Sequence, residues 1–86
     1  MDLANELADS IARTCAVPRD LVRPDSRLDE LGVDSLAAAE VLVDLEIRLG
    51  AELPIDLLRR LESVETVRDV AAALTAAVPT PRPRPA

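Results

Sequence analysis

Apolar residues recur at helical spacing from the start of the chain. Leu3, Leu7 and Ile11, with Ala4, Ala8 and Cys15 beside them, form one stripe, and polar residues fill the positions between. This predicts an amphipathic helix over residues 3–16, with Asp2 placed to cap its first amides and Pro18 marking where it has ended. Residues 17–34 contain prolines at 18 and 24 and no long periodic run, so they form a connection long enough to hold an element of its own. Ser26 and Asp29 around Leu28 and Leu31 predict one helical turn there, closed by Gly32. Leu21, Val22, Leu28 and Leu31 are expected to pin this connection to the core.

A second long helix is predicted from Ser35 or Leu36, capped by Asp34 and stopped at Gly50. After Pro54, Asp56 caps a short segment over residues 57–61. The last helix begins at Thr66, where Thr66 and Asp69 have the spacing of a capping box. Val67, Val70, Ala71, Leu74 and Val78 supply its apolar face. The chain is therefore all-α. Residues 1–78 are expected to form one domain, and residues 79–86, which alternate proline with Thr and Arg, a solvated disordered tail.

The helix after Asp34 carries more apolar surface than one core needs. At 100° per residue, Ala38, Leu42, Leu45 and Leu49 fall on one face, the expected core stripe. Glu40, Asp44 and Arg48 fall on a polar face, the last two spaced for an i, i+4 ion pair. Leu36, Ala39, Val43 and Ile47 form a second apolar stripe. Glu40 and Glu46 border it, and Asp34 stands at its head. Either the other helices bury this second stripe, or it lies in the groove of a partner with a basic surface.

Charge and composition narrow the chemistry. Sixteen acidic residues face ten basic ones, all arginine, for a net charge of −6. Setting aside Arg82 and Arg84 in the tail brings it to −8. Nucleic acid and anionic membrane are poor partners for such a chain. No apolar run approaches the ~18 residues of a membrane helix, and the first residues do not read as a secretory signal. His, Lys and aromatic residues are absent. The bases that activate a serine nucleophile near neutral pH are therefore missing, as are stacking platforms for bases and sugars. Metal sites built from Cys and His are excluded by count, so no catalytic and no metal residue is assigned. Cys15 is alone, which fits a reducing, cytoplasmic location, and is read as a core residue.

Ser35 stands at a helix start, where a cap is the default role. Asp34 is an equally good cap one residue earlier, which would leave the Ser35 hydroxyl free for modification by another enzyme. Around Ser35 the sequence resembles the acyl carrier proteins. The resemblance is carried by Leu28 to Leu31, by Gly32-Val33-Asp34-Ser35-Leu36, by Glu40, Leu45-Glu46 and Leu49, by Glu52-Leu53-Pro54, and by Thr66-Val67. It spans about residues 3–77. It implies an all-α four-helix bundle with a short third helix. It implies that Ser35 receives 4′-phosphopantetheine from coenzyme A through a Mg²⁺-dependent phosphopantetheinyl transferase. The arm's thiol then holds acyl groups as thioesters for partner enzymes, and the chain itself is not an enzyme. Asp34, Glu40 and Glu46 match the family's acidic recognition positions, and Leu36, Val43 and Ile47 its apolar ones.

Ala37, Ile47 and Arg48 stand where many fatty-acid carriers have acids. Gly32 and Val33, rather than two glycines, set the chain apart from peptidyl carriers. Arginine without lysine, with abundant Ala, Val and Pro, points to a GC-rich genome and a specialised pathway such as polyketide biosynthesis. Expected partners are the transferase and an acyltransferase, ketosynthase or other loading enzyme with a basic docking surface, meeting a monomeric carrier. The alternatives are an aminoacyl or peptidyl carrier, and an unmodified acidic helical adaptor.

Overall fold

The structure is a computed structural model that describes residues 3–50, 52–54 and 56–77. The expected Asp2 cap, Val78 and the 79–86 tail lie outside the described residues. Helix α1 spans Leu3–Cys15, a 3₁₀ turn covers Arg19–Leu21, and α2 is the single turn Leu28–Leu31. Helix α3 spans Ser35–Leu49, α4 is the short helix Leu57–Leu61, and α5 spans Val67–Ala77. The fold is all-α, as the periodicity predicts. Among the described residues the β-type pairing is limited to an isolated bridge between Arg27 and Thr66.

Each long element stops for a local reason. Ala16 adopts a left-handed conformation, with φ of 54°, and the Val17 amide reaches back to the Ala12 carbonyl at 3.0 Å. That six-to-one bond ends α1 two residues before Pro18. Gly50, at φ 65°, ends α3 in the same backbone region. Gly32, at φ 83°, ends α2 and turns the chain into Asp34.

The core gathers around Leu7 and Ile11 of α1, Leu45 of α3, Leu57 of α4 and Leu74 of α5, all fully buried or nearly so. Leu28 and Leu31 of α2 and Val22 before it are buried against the same cluster. Leu21 is half exposed, contrary to expectation, because the 3₁₀ turn points it away from the side that carries Val22. The buried face of α3 is also rotated from the one predicted. Val41, Leu42 and Leu45 are buried, whereas Ala38 and Leu49 are only partly so. Packing against α1 on one side and α4 on the other draws Val41 into the core.

Two expected caps take other partners. The Ser26 hydroxyl accepts from the Arg23 amide at 2.9 Å and donates to the Leu21 carbonyl at 2.8 Å, so it closes the connection rather than capping α2. Asp56 makes no capping bond and instead pairs with Arg60 at 3.4 Å. The box at α5 forms as predicted: the Asp69 amide donates to Thr66 Oγ1, and Asp69 Oδ2 accepts from the Thr66 amide, both at 3.3 Å. The long connection completes this helix start. The carbonyls of Ser26 and Pro24 accept from the amides of Val67 and Arg68 at 3.0 and 2.8 Å, and the Leu28 amide donates to the Glu65 carbonyl at 2.9 Å. Orphan donors of α5 are thus satisfied by backbone of the connection between the first and second long helices, far earlier in the chain.

Helices α1 and α3 are joined by an ion network. Arg48 contacts Glu6 across the interface and Asp44 along its own helix at 3.4 Å, and Arg13 reaches Asp44 at 2.9 Å. Ser10, fully buried between the helices, has one proton to share. It donates to the Val41 carbonyl at 3.4 Å, and the Asp44 carboxylate also draws on it. The Ser10 hydroxyl, followed by the Arg13 and Arg48 guanidiniums, holds the Asp44 carboxyl below the usual carboxylate range. A group depressed in the folded state stabilises it fully above its unfolded pKa, about 3.9, and loses that contribution as the pH falls through the lower folded value. Urea titrations should therefore show stability falling below about pH 4, and Asp44→Asn should flatten part of that fall. An identical pH profile in the variant would remove this network from the stability account.

Candidate functional site

Helix α3 begins on two adjacent residues with different tasks. Asp34, in an extended conformation, accepts from the Ala37 amide through Oδ1 at 2.8 Å, while its carbonyl accepts from the Ala38 amide at 2.8 Å. It is the cap. Ser35 is exposed at the first helical position, and its hydroxyl makes no hydrogen bond among the described residues. The remaining first-turn amides and the helix dipole favour negative charge beside that hydroxyl.

A half-open cleft of about 330 Å³ runs from Ser35 and Asp34 into the bundle. Ile11 of α1, Leu28 of α2, Val41 of α3, Leu58 and Leu61 of α4 and Val70 of α5 give it apolar walls. Arg27, Asp29, Glu62 and Glu65 stand at its rim. Arg27 binds Asp29 at 3.3 Å and reaches Glu30 at 3.7 Å and Glu65 at 4.0 Å. Its hydrogen bond holds the Asp29 carboxyl below the ordinary range. Sequence reasoning missed this cleft, because its walls come from five elements whose juxtaposition no local pattern encodes.

The second apolar stripe of α3 lies outside the core. Leu36, Val43 and Ile47 are 69%, 55% and 75% exposed, and Ala39 is partly covered. Of the bordering acids, Asp34 and Glu40 are exposed. Glu46 is half-buried, and its Oε2 accepts from the Leu53 amide at 2.9 Å. Asp44 and Arg48 are taken up by the network with α1. The structure thus brings Asp34, Ser35, Leu36, Glu40, Val43, Glu46 and Ile47 onto one helix and its head. Cys15 packs partly buried against the core. Burial, then the nearby Asp34 and Glu40 carboxylates, push its thiol pKa up and away from reactivity.

Residues 5–74 match the family model for the phosphopantetheine attachment site. The chain belongs to the acyl carrier proteins. It is 42% identical over 81 residues to an acyl carrier protein of Streptomyces coelicolor, covering 92% of this chain and 85% of that one. An acyl carrier protein of Thermobifida fusca is 34% identical over 67 residues, covering 77% of this chain and 85% of its own. A non-reducing polyketide synthase, pkiA of Emericella nidulans, is 31% identical over 77 residues, which cover 90% of this chain and 3% of the synthase. Acyl carrier proteins are carriers rather than catalysts and hold 4′-phosphopantetheine covalently. When bound, that group supplies a thiol on which acyl groups ride as thioesters. An exposed, unpartnered hydroxyl at a helix start, next to an apolar cleft, fits such a group. Among the described residues no helix is long and apolar enough to cross a membrane.

The division of labour at the helix head has a measurable signature. Asp34→Ala should cost about 1 kcal/mol in urea denaturation by removing the cap, and Ser35→Ala should stay within about 0.5 kcal/mol of the parent. Equal losses would mean that Ser35 shares the capping.

Proposed function

We propose that Ser35 is the attachment residue and that this chain carries acyl intermediates in polyketide or related natural-product biosynthesis. The observation that carries the first part is the free Ser35 hydroxyl beside an Asp34 that already caps α3. With no His or Lys in the chain, the base that removes the Ser35 proton belongs to the transferase. The second part is supported by Ala37, Ile47 and Arg48 in place of the acids common in fatty-acid carriers, and by the likeness to a segment of a polyketide synthase.

Partners dock on Leu36, Val43 and Ile47, which supply desolvated contact, while Asp34, Glu40 and Glu46 steer a basic surface into place. Those partners are the phosphopantetheinyl transferase and an acyltransferase, ketosynthase or loading enzyme. The carrier works as a monomer in the cytoplasm, its residues 1–78 forming the carrier domain. The lone Cys15 supports the cytoplasmic location.

Intact mass decides the attachment residue. Incubation with a broad-specificity phosphopantetheinyl transferase, coenzyme A and Mg²⁺ should add one phosphopantetheine to the parent and none to Ser35→Ala. An equal gain in both would sink the assignment, and full biosynthetic function of Ser35→Ala would make the chain an unmodified adaptor. Glu40→Arg should slow that transfer by roughly five- to tenfold at low salt, with the deficit shrinking as salt rises. An unchanged rate would move the docking contact off this edge of α3.

A further inference from the structure

A shallow depression of about 360 Å³ lies at the end of the exposed stripe far from Ser35, lined by Val43, Glu46, Ile47, Gly50 and Glu52. Val43, Ile47 and Glu52 are exposed. Glu46 uses Oε2 on the Leu53 amide, and its Oε1 makes no hydrogen bond among the described residues. The depression therefore offers two uncovered apolar side chains beside two carboxylates. An occupant that fits it carries apolar groups with little freedom to lose and a cation between them. The chain itself contains such a segment. Beyond Ala77, the last described residue, come Pro79-Thr80-Pro81-Arg82-Pro83-Arg84-Pro85-Ala86, in which prolines alternate with two arginines and no side chain is acidic.

Distance permits the contact. The cleft beside Ser35 takes in Val64, Glu65 and Val70, so α5 begins near the head of α3. Val67, Val70, Leu74 and Ala77 all lie against the core, so α5 runs along the bundle and carries Ala77 about 15 Å from its start. Helix α5 packs on α1 and α4, which pack in turn on α3. The path to the outer side of α3 is therefore about two interhelical spacings, roughly 16–20 Å. Arg84 stands seven residues beyond Ala77. That is a reach of about 22 Å at polyproline spacing, before its own side chain is counted. Tethering over this length gives an effective concentration in the millimolar range, so a contact of only millimolar strength fills the site about half the time. We propose that the depression at the end of α3 is an intramolecular seat for residues 79–86: Pro83 and Pro85 cover Val43 and Ile47, Arg84 pairs with Glu46 and Glu52, and the segment screens this end of the stripe until a basic partner displaces it. The seat stands on its own, whereas the screening rests on the reading of α3 as the docking face.

A nitroxide spin label on the full chain, attached through Ala86→Cys in a Cys15→Ala background, tests the seat by NMR. At low salt the amides of Val43, Glu46, Ile47 and Glu52 should relax at least about twofold faster than with the label reduced. That enhancement should fall by more than half in about 1 M salt, where the screening length is about 3 Å, and likewise in Arg82→Gln/Arg84→Gln. Enhancement that ignores both salt and the arginines, or that falls on α4 and α5 alone, would overturn the seat. Screening is read on the unlabelled chain. Arg82→Gln/Arg84→Gln should accept phosphopantetheine about two- to threefold faster than the parent at low salt. Arg59→Gln/Arg68→Gln, at exposed positions of α4 and α5, makes the same change in net charge and should shift the rate by less than about 1.5-fold. Equal acceleration in both pairs would overturn the screening, because net charge alone would account for it. A seated label without acceleration would overturn it too, and Glu40→Arg then tells which premise failed: a slowed Glu40→Arg keeps the docking face, and an unslowed one removes it.

Discussion

Helix α3 has two apolar faces, and the bundle is large enough to cover one. Helices α1 and α4 close over Val41, Leu42 and Leu45, and the ion network of Glu6, Arg13, Asp44 and Arg48 fixes α1 along the flank. Among the described residues, no element covers Leu36, Val43 and Ile47. Exposed apolar residues at one spacing on one helix, bordered by carboxylates, are what a surface kept for partners requires. The rest of the molecule is arranged around this division: one face holds the fold, and the other meets the solvent.

The head of the same helix follows a similar economy. Two residues could cap it, and backbone geometry gives the work to Asp34, whose carboxylate reaches the Ala37 amide. The next residue is left with a free hydroxyl in a field that favours negative charge. A carrier needs its attachment point both accessible and rigidly placed. On the proposed reading of Ser35, the first helical turn provides this, because its backbone is fixed while its side chains face outward. The chain offers that hydroxyl no His or Lys as a base.

The 17–34 connection is more than a link. It donates carbonyls to the first amides of α5, threads Val22, Leu28 and Leu31 into the core, and sets Arg27 at the rim of the cleft. Its single turn α2 ends at Gly32, whose left-handed backbone directs the chain into Asp34. The position of Ser35 is thus held from before as well as behind. Glu46 plays the matching part at the far end of α3, where its carboxylate secures the segment leading to α4.

By itself, the sequence determined the helices, most of their ends and the two-faced character of α3. These follow from spacing, capping residues and left-handed glycines, all read within a few neighbours. It also singled out the Ser35 hydroxyl as a candidate, since the competing cap and the absent bases are facts of composition and adjacency. Tertiary structure decided which side of α3 is buried: Val41 entered the core in place of Leu49, and Leu21 turned outward, because only the packed neighbours fix a helix's rotation. It also decided that Ser26 closes the connection rather than capping α2, that Glu46 holds Leu53, and that five elements leave a cleft beside Ser35. Each of those joins residues that meet only after the chain has packed, so no local pattern carries them.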